Sequence, residues 1–239
     1  MNNIASLPTC ETLVLSLDDN AVLTLTLNRP EVRNAMNPLM VEELEAVFAA
    51  LADARVRTVV MRGAGNHFCS GGDIKGMSTA ASGDDDEVDA LQQGNRRFGR
   101  MISAANTCPQ TVIAAVEGAV RGGGFGLVCI SDVAIATSTA TFALPETSLG
   151  IPPAQIAPFV VQRIGLTQAR RLGLTGCKLD ATRACELGVV HQVVADTAAL
   201  NAAIEETLAA IHKCAPGANA MTKRLMLDAG TEALVPLLD

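Results

Sequence analysis

The stretch of sequence that decides the fold is TVIAAVEGAVRGGGFGLVCI, residues 111–130, in which a β-branched apolar run enters a glycine-rich turn. The apolar residues 112–116 predict a buried strand, and a further apolar run, residues 127–130, follows the turn. Glycines in such a turn let backbone N–H groups approach a ligand, and the start of the next helix favours negative charge there. We therefore expect a strand, turn and helix whose amides bind an electron-rich atom.

A second unit of the same kind lies upstream. Residues 58–62 form a short β-branched run, and they enter the glycine-rich sequence GAGNHFCSGGD, residues 63–73. Residues 87–106 have the pattern of a helix that leads the chain to the strand at residues 112–116. Because both glycine turns follow a predicted strand, we expect them to converge on one oxygen atom of a ligand.

The rest of the chain is predicted to be rich in strands first and helical later. Alternating residues 13–17 and 22–27 predict a hairpin, Asn37 and Pro38 open an amphipathic helix, and residues 132–136 and 141–142 predict further strands. Residues 78–86 are expected to be mobile, and the acidic run at residues 84–87 is expected to be a solvated loop. Beyond Leu166 the pattern is helical, with one helix that begins near Thr197.

The composition limits the class of protein. The 239 residues, of which 49% are hydrophobic and 18% charged, predict one large compact domain or one domain with a modest appendage. The net charge of −7 and the absence of Tyr and Trp argue against a nucleic-acid partner. Seven cysteines without a C-x-x-C pair indicate reduced thiols and no zinc site. With no targeting signal and no long apolar run, we expect a cytoplasmic protein that does not bind a membrane.

Two other enzyme classes fit the motifs poorly. Residues 118–123 have P-loop spacing, but Gly124 stands where the lysine is required, and neither turn contains G-x-G-x-x-G. No G-x-S-x-G elbow is present, and the three histidines are expected to be ordinary surface or hydrogen-bonded residues. A nucleotide-binding Rossmann dehydrogenase and a triad hydrolase are therefore disfavoured.

Four motifs occur in a fixed order: NRPEVRNA (residues 28–35), FCSGGDIK (68–75), GGG (122–124) and FALPE (142–146). With them the sequence resembles the crotonase, or enoyl-CoA hydratase/isomerase, family over about residues 13–228. The resemblance implies an α/β (α+β) fold, in which a spiral of repeated ββα units over residues 1–195 carries the acyl-CoA site. It also implies a C-terminal helical trimerisation region at residues 196–239, in a homotrimer or homohexamer. Family chains usually continue past Asp239, so contacts to the CoA adenine cannot be assigned.

The resemblance also assigns site residues. The backbone N–H groups of Gly72 and Gly123 would form an oxyanion hole for the thioester carbonyl, and Glu146 would be the catalytic acid/base. The acyl-CoA would be bound by Arg33, Ala35, Gly72, Asp73, Ile74, Lys75 and Gly123. Arg29 would either contact a CoA phosphate or hold a turn. No metal is expected, and no cofactor beyond the CoA that is part of the substrate.

The sequence departs from the family pattern at one catalytic position. The hydratases with two glutamates carry the second one three residues after the second oxyanion glycine, where this chain has Gly126. Hydration of an enoyl-CoA by a single glutamate is favoured, with Δ3-Δ2 enoyl-CoA isomerisation as the alternative. A third possibility is a degenerate homologue that only binds acyl-CoA.

The sequence also suggests a kind of substrate. Residues 123–127 and 149–159 are similar to those of isohexenylglutaconyl-CoA hydratases. This implies a branched glutaconyl thioester as the substrate, with its distal carboxylate near Gln155 or Arg121.

Overall fold

The structure is a computed structural model that describes residues 7–51, 55–73 and 85–229. The strands of this part of the chain are β1 (Leu13–Leu17), β2 (Val22–Leu27), β3 (Thr58–Gly63), β4 (Thr111–Val116), β5 (Ala119–Arg121), β6 (Val133–Thr137), β7 (Thr141–Ala143), β8 (Leu179–Asp180) and β9 (Gln192–Val194). The helices are α1 (Pro38–Ala50), α2 (Asp85–Thr107), α3 (Gly123–Cys129), α4 (Ala157–Thr175), α5 (Ala181–Glu186), α6 (Thr197–His212) and α7 (Pro216–Ala229).

A six-stranded sheet forms the centre of the fold, with the strand order β1-β2-β3-β4-β6-β9. Only the β1–β2 pair is antiparallel, and it is the predicted hairpin; the other pairs are parallel. Parallel strands need crossover connections, and those crossovers carry the glycine turns and helices. A second sheet has the order β5-β7-β8.

The chain repeats one unit in which a long strand is followed by a short extended segment and a helix. The short segments are Met36, residues 69–72, β5 and β7, and single parallel bridges join Met36 to Gly72 and Cys69 to Val120. Helices α1, α2, α3 and α4 follow these segments in the same order. The predicted spiral of ββα units is therefore confirmed, with its short segments placed side by side.

Two apolar clusters stabilise the spiral. The larger one packs α1, α2 and α3 against one face of the main sheet and includes Leu25, Met61, Ile102 and Phe125. The smaller one covers the other face, where Leu200, Ile204 and Leu208 of α6 lie on β-branched residues of the strands. Helix α6 begins at Thr197, so the predicted helix near Thr197 is confirmed.

Three expectations need correction. Asp85, Asp86 and Glu87 lie in α2 rather than in a loop. Helical structure was predicted only beyond Leu166, but α4 already begins at Ala157. Gly165 interrupts this helix with a φ of 75°. Strands β8 and β9 are too short to show a periodic pattern, so the sequence missed them. The remainder of the predicted mobile stretch, residues 78–84, lies outside the described residues.

Candidate active site

Backbone hydrogen bonds bring the four sequence motifs into one row. Met36 N–H donates to Gly71 O (2.8 Å) and Asp73 N–H donates to Met36 O (2.9 Å), which joins the first motif to the second. Arg121 N–H donates to Cys69 O (2.9 Å), and Gly122 N–H donates to Ala143 O (3.3 Å). Each motif is thus joined to the next along the chain, and the four lie in one row at one end of the spiral.

The two glycine turns are in contact and have free amide donors. A β-carbon added to Gly122 would lie 3.7 Å from the Cα of Gly71. Asp73 N–H and Gly71 O are bound to Met36, whereas the N–H of Gly72 has no acceptor among the described residues. The N–H of Gly123 is likewise without an acceptor there, because Gly123 is the first residue of α3 and has no partner one turn earlier. Both predicted oxyanion donors are therefore available to a ligand.

Gly122 is glycine for two physical reasons. Its φ is 51° with a ψ of −120°, a conformation that L residues rarely adopt. In addition, a β-carbon at this position would lie 2.8 Å from Oε1 of Glu146. The glycine turn and the predicted catalytic carboxylate are therefore in direct contact.

Glu146 begins a short 3₁₀ turn, Glu146–Leu149, that follows β7. Its Oε2 atom is buried and has no hydrogen-bond partner among the described residues. Burial raises the pKa of the Glu146 carboxyl above its usual range, and a hydrogen bond to its own backbone offsets part of this increase. A carboxyl with a raised pKa and an unpaired oxygen is suited to accept a proton and return it.

The position of the absent second glutamate is filled by apolar side chains. A β-carbon added to Gly126 would lie 2.5 Å from Cγ2 of Ile156 and 2.9 Å from Cδ1 of Ile102. Sequence alone showed that the glutamate is missing, but not that two isoleucines occupy its space. The chain therefore has no room for a carboxylate at residue 126.

The residues predicted to bind CoA have different surroundings in the structure. Arg29 pairs with Asp73 (3.1 Å) and also donates to Ala35 O (2.6 Å), so it holds the turn together and the alternative role as a phosphate ligand is not supported. Arg33 is exposed, and its guanidinium has no partner within the described part of the chain, although its carbonyl accepts Ser70 N–H (3.0 Å). Ile74 and Lys75 lie outside the described residues.

Several contacts at the site were not expected from sequence. Met36 Cε and the Phe98 ring lie 2.7 and 3.1 Å from the place a β-carbon of Gly123 would occupy, so they flank the free amide. The guanidinium of Arg121 was expected to bind a distal carboxylate of the substrate. It instead donates to the carbonyl oxygen of Thr141 and to the hydroxyl of Thr141 (2.9 Å to the hydroxyl). Its guanidinium is engaged within the second sheet, and that suggestion is corrected.

Other expectations concern residues away from the site. His67 and His191 accept backbone N–H groups through Nδ1, as expected for structural histidines. The seven cysteines are free thiols. Residues 7–51, 55–73 and 85–229 contain no group of three His, Cys, Asp or Glu side chains that could hold a metal. None of the described helices has the length and apolar character needed to cross a bilayer.

The spiral and the paired glycine turns define a crotonase-type protein, and comparisons with known proteins agree. The family profile "Enoyl-CoA hydratase/isomerase" matches residues 18–236. The enoyl-CoA hydratase ACTT6 of Alternaria alternata is 33% identical over 210 residues, which are 87% of this chain and 67% of that protein. The chain belongs to the enoyl-CoA hydratase/isomerase family and is an enzyme of that family.

Solved structures show the same fold. The structure of Pseudomonas aeruginosa AtuE has a TM-score of 0.91 and 55% identity, and the match covers 96% of this chain and 88% of that one. A Thermobifida fusca protein in complex with CoA has a TM-score of 0.87 and 33% identity, with 98% and 93% covered. At these identities the fold of the present chain is a crotonase fold.

Proposed function

We propose that this enzyme adds water to the double bond of an enoyl-CoA, with a branched glutaconyl-CoA as the favoured substrate. The observation that carries the proposal is the buried Oε2 of Glu146, beside two glycine turns; within the described part of the chain, Oε2 has no hydrogen-bond partner and the Gly72 and Gly123 amides have no acceptor. The site therefore offers one proton-transfer group and two donors for a carbonyl oxygen. The reaction needs no cofactor other than the CoA of the substrate.

In the proposed mechanism, the ionised Glu146 accepts a proton from water while the water oxygen bonds to Cβ of the enoyl group. The electron pair of the double bond then forms an enolate, whose negative charge lies mainly on the thioester oxygen. The amides of Gly72 and Gly123 would stabilise this charge, and a donor of this kind is worth roughly 3 to 4 kcal/mol. Glu146 finally gives its proton to Cα, so that one water has been added and the carboxylate is restored.

Isomerisation of a 3-enoyl-CoA is the second candidate. The packing of Ile156 and Ile102 on Gly126 favours this reaction. Ile156 and Ile102 leave no space for the carboxylate that would help to hold water. A single carboxylate can move a proton from C2 to C4 of a dienolate without any water. The same oxyanion donors would stabilise that dienolate, so the two reactions differ in the substrate and in the use of water.

Product mass after incubation with a panel of enoyl-CoA thioesters separates these reactions. Hydration adds the mass of one water, isomerisation leaves the mass unchanged, and the panel includes crotonyl-CoA, 3-enoyl-CoA and branched glutaconyl-CoA. We expect Glu146→Gln to lower kcat about 10²- to 10⁴-fold. The control Glu186→Gln changes an exposed carboxylate that pairs with Arg183 and should be neutral. Saturable acyl-CoA binding without turnover would instead indicate the degenerate binding homologue and overturn the proposal.

Assembly and location are further parts of the proposal. We infer a homotrimer or homohexamer in the cytoplasm, assembled through the C-terminal region, residues 196–239. In its described portion, α7 exposes Met221, Leu225 and Met226, which supports a contact between chains there. The predicted binding residues Ile74 and Lys75 are proposed to contact the CoA part of the substrate together with Arg33.

A further inference from the structure

The segment that enters the candidate site at Glu146 lies against the end of α4. Glu146 follows β7, and β7 pairs with β8, with Phe142 opposite Leu179. Strand β8 comes shortly after α4 in the chain, so the last turn of that helix lies beside this strand pair. A β-carbon added to Gly176 would accordingly lie 3.8 Å from the carbonyl oxygen of Leu144. The end of α4 is therefore a neighbour of the residues that precede Glu146.

The 3₁₀ turn that carries Glu146 is closed by hydrogen bonds of its own. Within the described part of the chain, its backbone hydrogen bonds join residues 145–151 to one another, and Ile151 N–H donates to Glu146 O (3.0 Å). These bonds give the turn its shape but do not fix its place on the fold. Among the hydrogen bonds of the described residues, one connects the turn to another element, because the hydroxyl of Thr147 donates to Gly173 O of α4 (2.8 Å).

The acceptor of this hydrogen bond is a carbonyl that the helix leaves free. The last carbonyls of an α-helix have no backbone partner one turn later, and Gly173 is the third residue from the end of α4. The N–H of Cys177, which a longer helix would direct to Gly173 O, instead donates to the hydroxyl of Thr175 (3.4 Å). Thr147 therefore supplies a donor that the local chain does not provide.

The position of the Glu146 carboxyl depends on the position of this turn. A β-carbon added to Gly122 would lie 2.8 Å from its Oε1, and its buried Oε2 has no hydrogen-bond partner among the described residues. Its raised pKa results from burial, partly offset by a hydrogen bond to its own backbone, and no charged side chain of the described residues contributes. Packing and its own backbone therefore hold the carboxyl in place. A shift of the turn would move the carboxyl and admit water to it.

We propose that Thr147 is a positioning residue for the Glu146 carboxyl. By binding Gly173 O, its hydroxyl holds the turn against the end of α4, so that Oε1 stays beside Gly122 and Oε2 stays out of water. The inference rests on the proposed function, because Glu146 is the proton-transfer group in both candidate reactions. Thr147 is assigned no contact with the substrate and acts only through Glu146.

The first test is the exchange of the Cα protons of butyryl-CoA for solvent deuterium, followed by mass spectrometry. In this exchange Glu146 takes a proton from Cα, the C–H electron pair forms the enolate, and a solvent deuteron that has replaced the proton on the carboxyl is returned to Cα. We expect Thr147→Val to lower the exchange rate at saturation about 10-fold at an unchanged half-saturating concentration, because the base is misplaced while the thioester site is intact. Thr147→Ser keeps the hydroxyl and should restore most of the rate.

The pH dependence of this exchange distinguishes a positioning role from a structural one. In the wild type the acidic limb reports the raised pKa of Glu146. In Thr147→Val the carboxyl regains hydration, so this pKa should move down toward the usual 4.5. Thr175→Val is the matched control, because Thr175 is also exposed and its hydroxyl donates to Arg171 O within α4 (2.6 Å). The control should change neither the exchange rate nor the acidic limb.

A second test needs no turnover. The Tm of the wild type and of Thr147→Val is measured at neutral pH, each with and without Glu146→Gln. The gain in Tm from Glu146→Gln comes from the removal of a buried charge. It should therefore be smaller in Thr147→Val, where water already reaches the carboxyl.

Two results would overturn the assignment. One is an exchange rate and an acidic limb of Thr147→Val that equal those of the wild type, or losses that Thr175→Val shares. The other is an equal gain in Tm from Glu146→Gln with and without the Thr147 hydroxyl. Absence of exchange together with no reaction of any enoyl-CoA in the wild type would overturn the proposed function alone, and the Tm comparison would still decide the role of Thr147. The two proposals therefore fail separately.

Discussion

At the scale of single residues, the Glu146 carboxyl, proposed as the proton-transfer group, is costly to the fold. A buried carboxylate oxygen without a partner loses its hydration and gains no hydrogen bond in return. Its pKa is raised, so between the unfolded and folded pKa values the native protein binds more protons than the unfolded chain. The free energy of unfolding therefore falls as pH rises through this window, and the penalty is complete above the folded pKa.

Glu146→Gln should therefore stabilise the protein while it lowers kcat. We expect Tm at neutral pH to rise by on the order of 2 °C, because an uncharged amide replaces a buried charge. The difference from the wild type should disappear as the pH falls below the usual carboxyl value of 4.5. Differential scanning calorimetry from neutral pH to below pH 4.5 measures the difference in Tm between the variant and the wild type. An inactive variant with a lower Tm at every pH would contradict the assigned environment of the carboxyl.

The contact between Gly122 and Glu146 gives a second prediction with a close control. Gly122→Ala should lower kcat/KM at least 10-fold, because the new β-carbon would displace Oε1 of Glu146. Gly150→Ala introduces the same residue at a φ of 76° but meets no atom within 4 Å. Through the backbone, Gly150→Ala should lower the free energy of unfolding by about 1 kcal/mol and Gly122→Ala by about 1 to 3 kcal/mol, because the ψ of −120° places Gly122 outside the left-handed helical region. Only Gly122→Ala should lower activity. Equal activity losses would show that Gly122 matters only for folding.

At the scale of elements, the turn before α1 is connected to the glycine turn at residues 63–73 by one buried side chain. Asn34 donates to Ala64 O (2.8 Å) and His67 O (2.7 Å), and its Oδ1 accepts Arg29 N–H (2.9 Å). This amide therefore joins residues 29–34 to residues 64–67 at the base of the site. The asparagine also tolerates a left-handed φ of 57° better than most residues do.

Asn34→Ala should destabilise the protein by about 2 to 4 kcal/mol, since three hydrogen bonds are lost and buried groups remain unpaired. Urea unfolding followed by circular dichroism measures the change. Asn66→Ala is the comparison, because Asn66 has a similar φ of 59° but is exposed. A loss of the same size in both variants would mean that backbone conformation, and not the hydrogen bonds of Asn34, stabilises the turn.

The same elements show what sequence could and could not predict. Strand β2 alternates leucine with threonine, and β3, β4 and β6 are short runs rich in apolar residues, so their patterns predict strands. The glycines of the turns are also visible in the sequence. The packing of Phe98 against Gly123 and of Ile156 against Gly126 was not, because contacts between distant elements leave no local pattern. For the same reason the contact of the Gln155 side chain with Gly99 was found only in the folded structure.

At the scale of the whole molecule, α7 combines an ion pair to the rest of the fold with exposed apolar side chains. Lys223 is largely buried, pairs with Asp132 (2.9 Å) and donates to Gln110 O (3.1 Å), which docks the helix at the start of β4. On the same helix Met226 is 73% exposed and Met221 is 55% exposed. A helix that is fixed by an ion pair but presents apolar side chains to water is well suited to contact another chain.

If this surface joins chains, Met226→Glu should break the assembly without unfolding the chain. A charge placed in an apolar interface loses its hydration, whereas on a free surface it costs little. Light scattering after gel filtration should show three or six chains of 24.8 kDa for the wild type and single chains for the variant. Leu174→Glu, at a residue that is 71% exposed but lies outside the C-terminal region, should leave the assembly intact. A Met226→Glu protein of wild-type mass would exclude this face of α7 from the interface, because no trimer contact could bury an unpaired carboxylate at that position without loss of affinity.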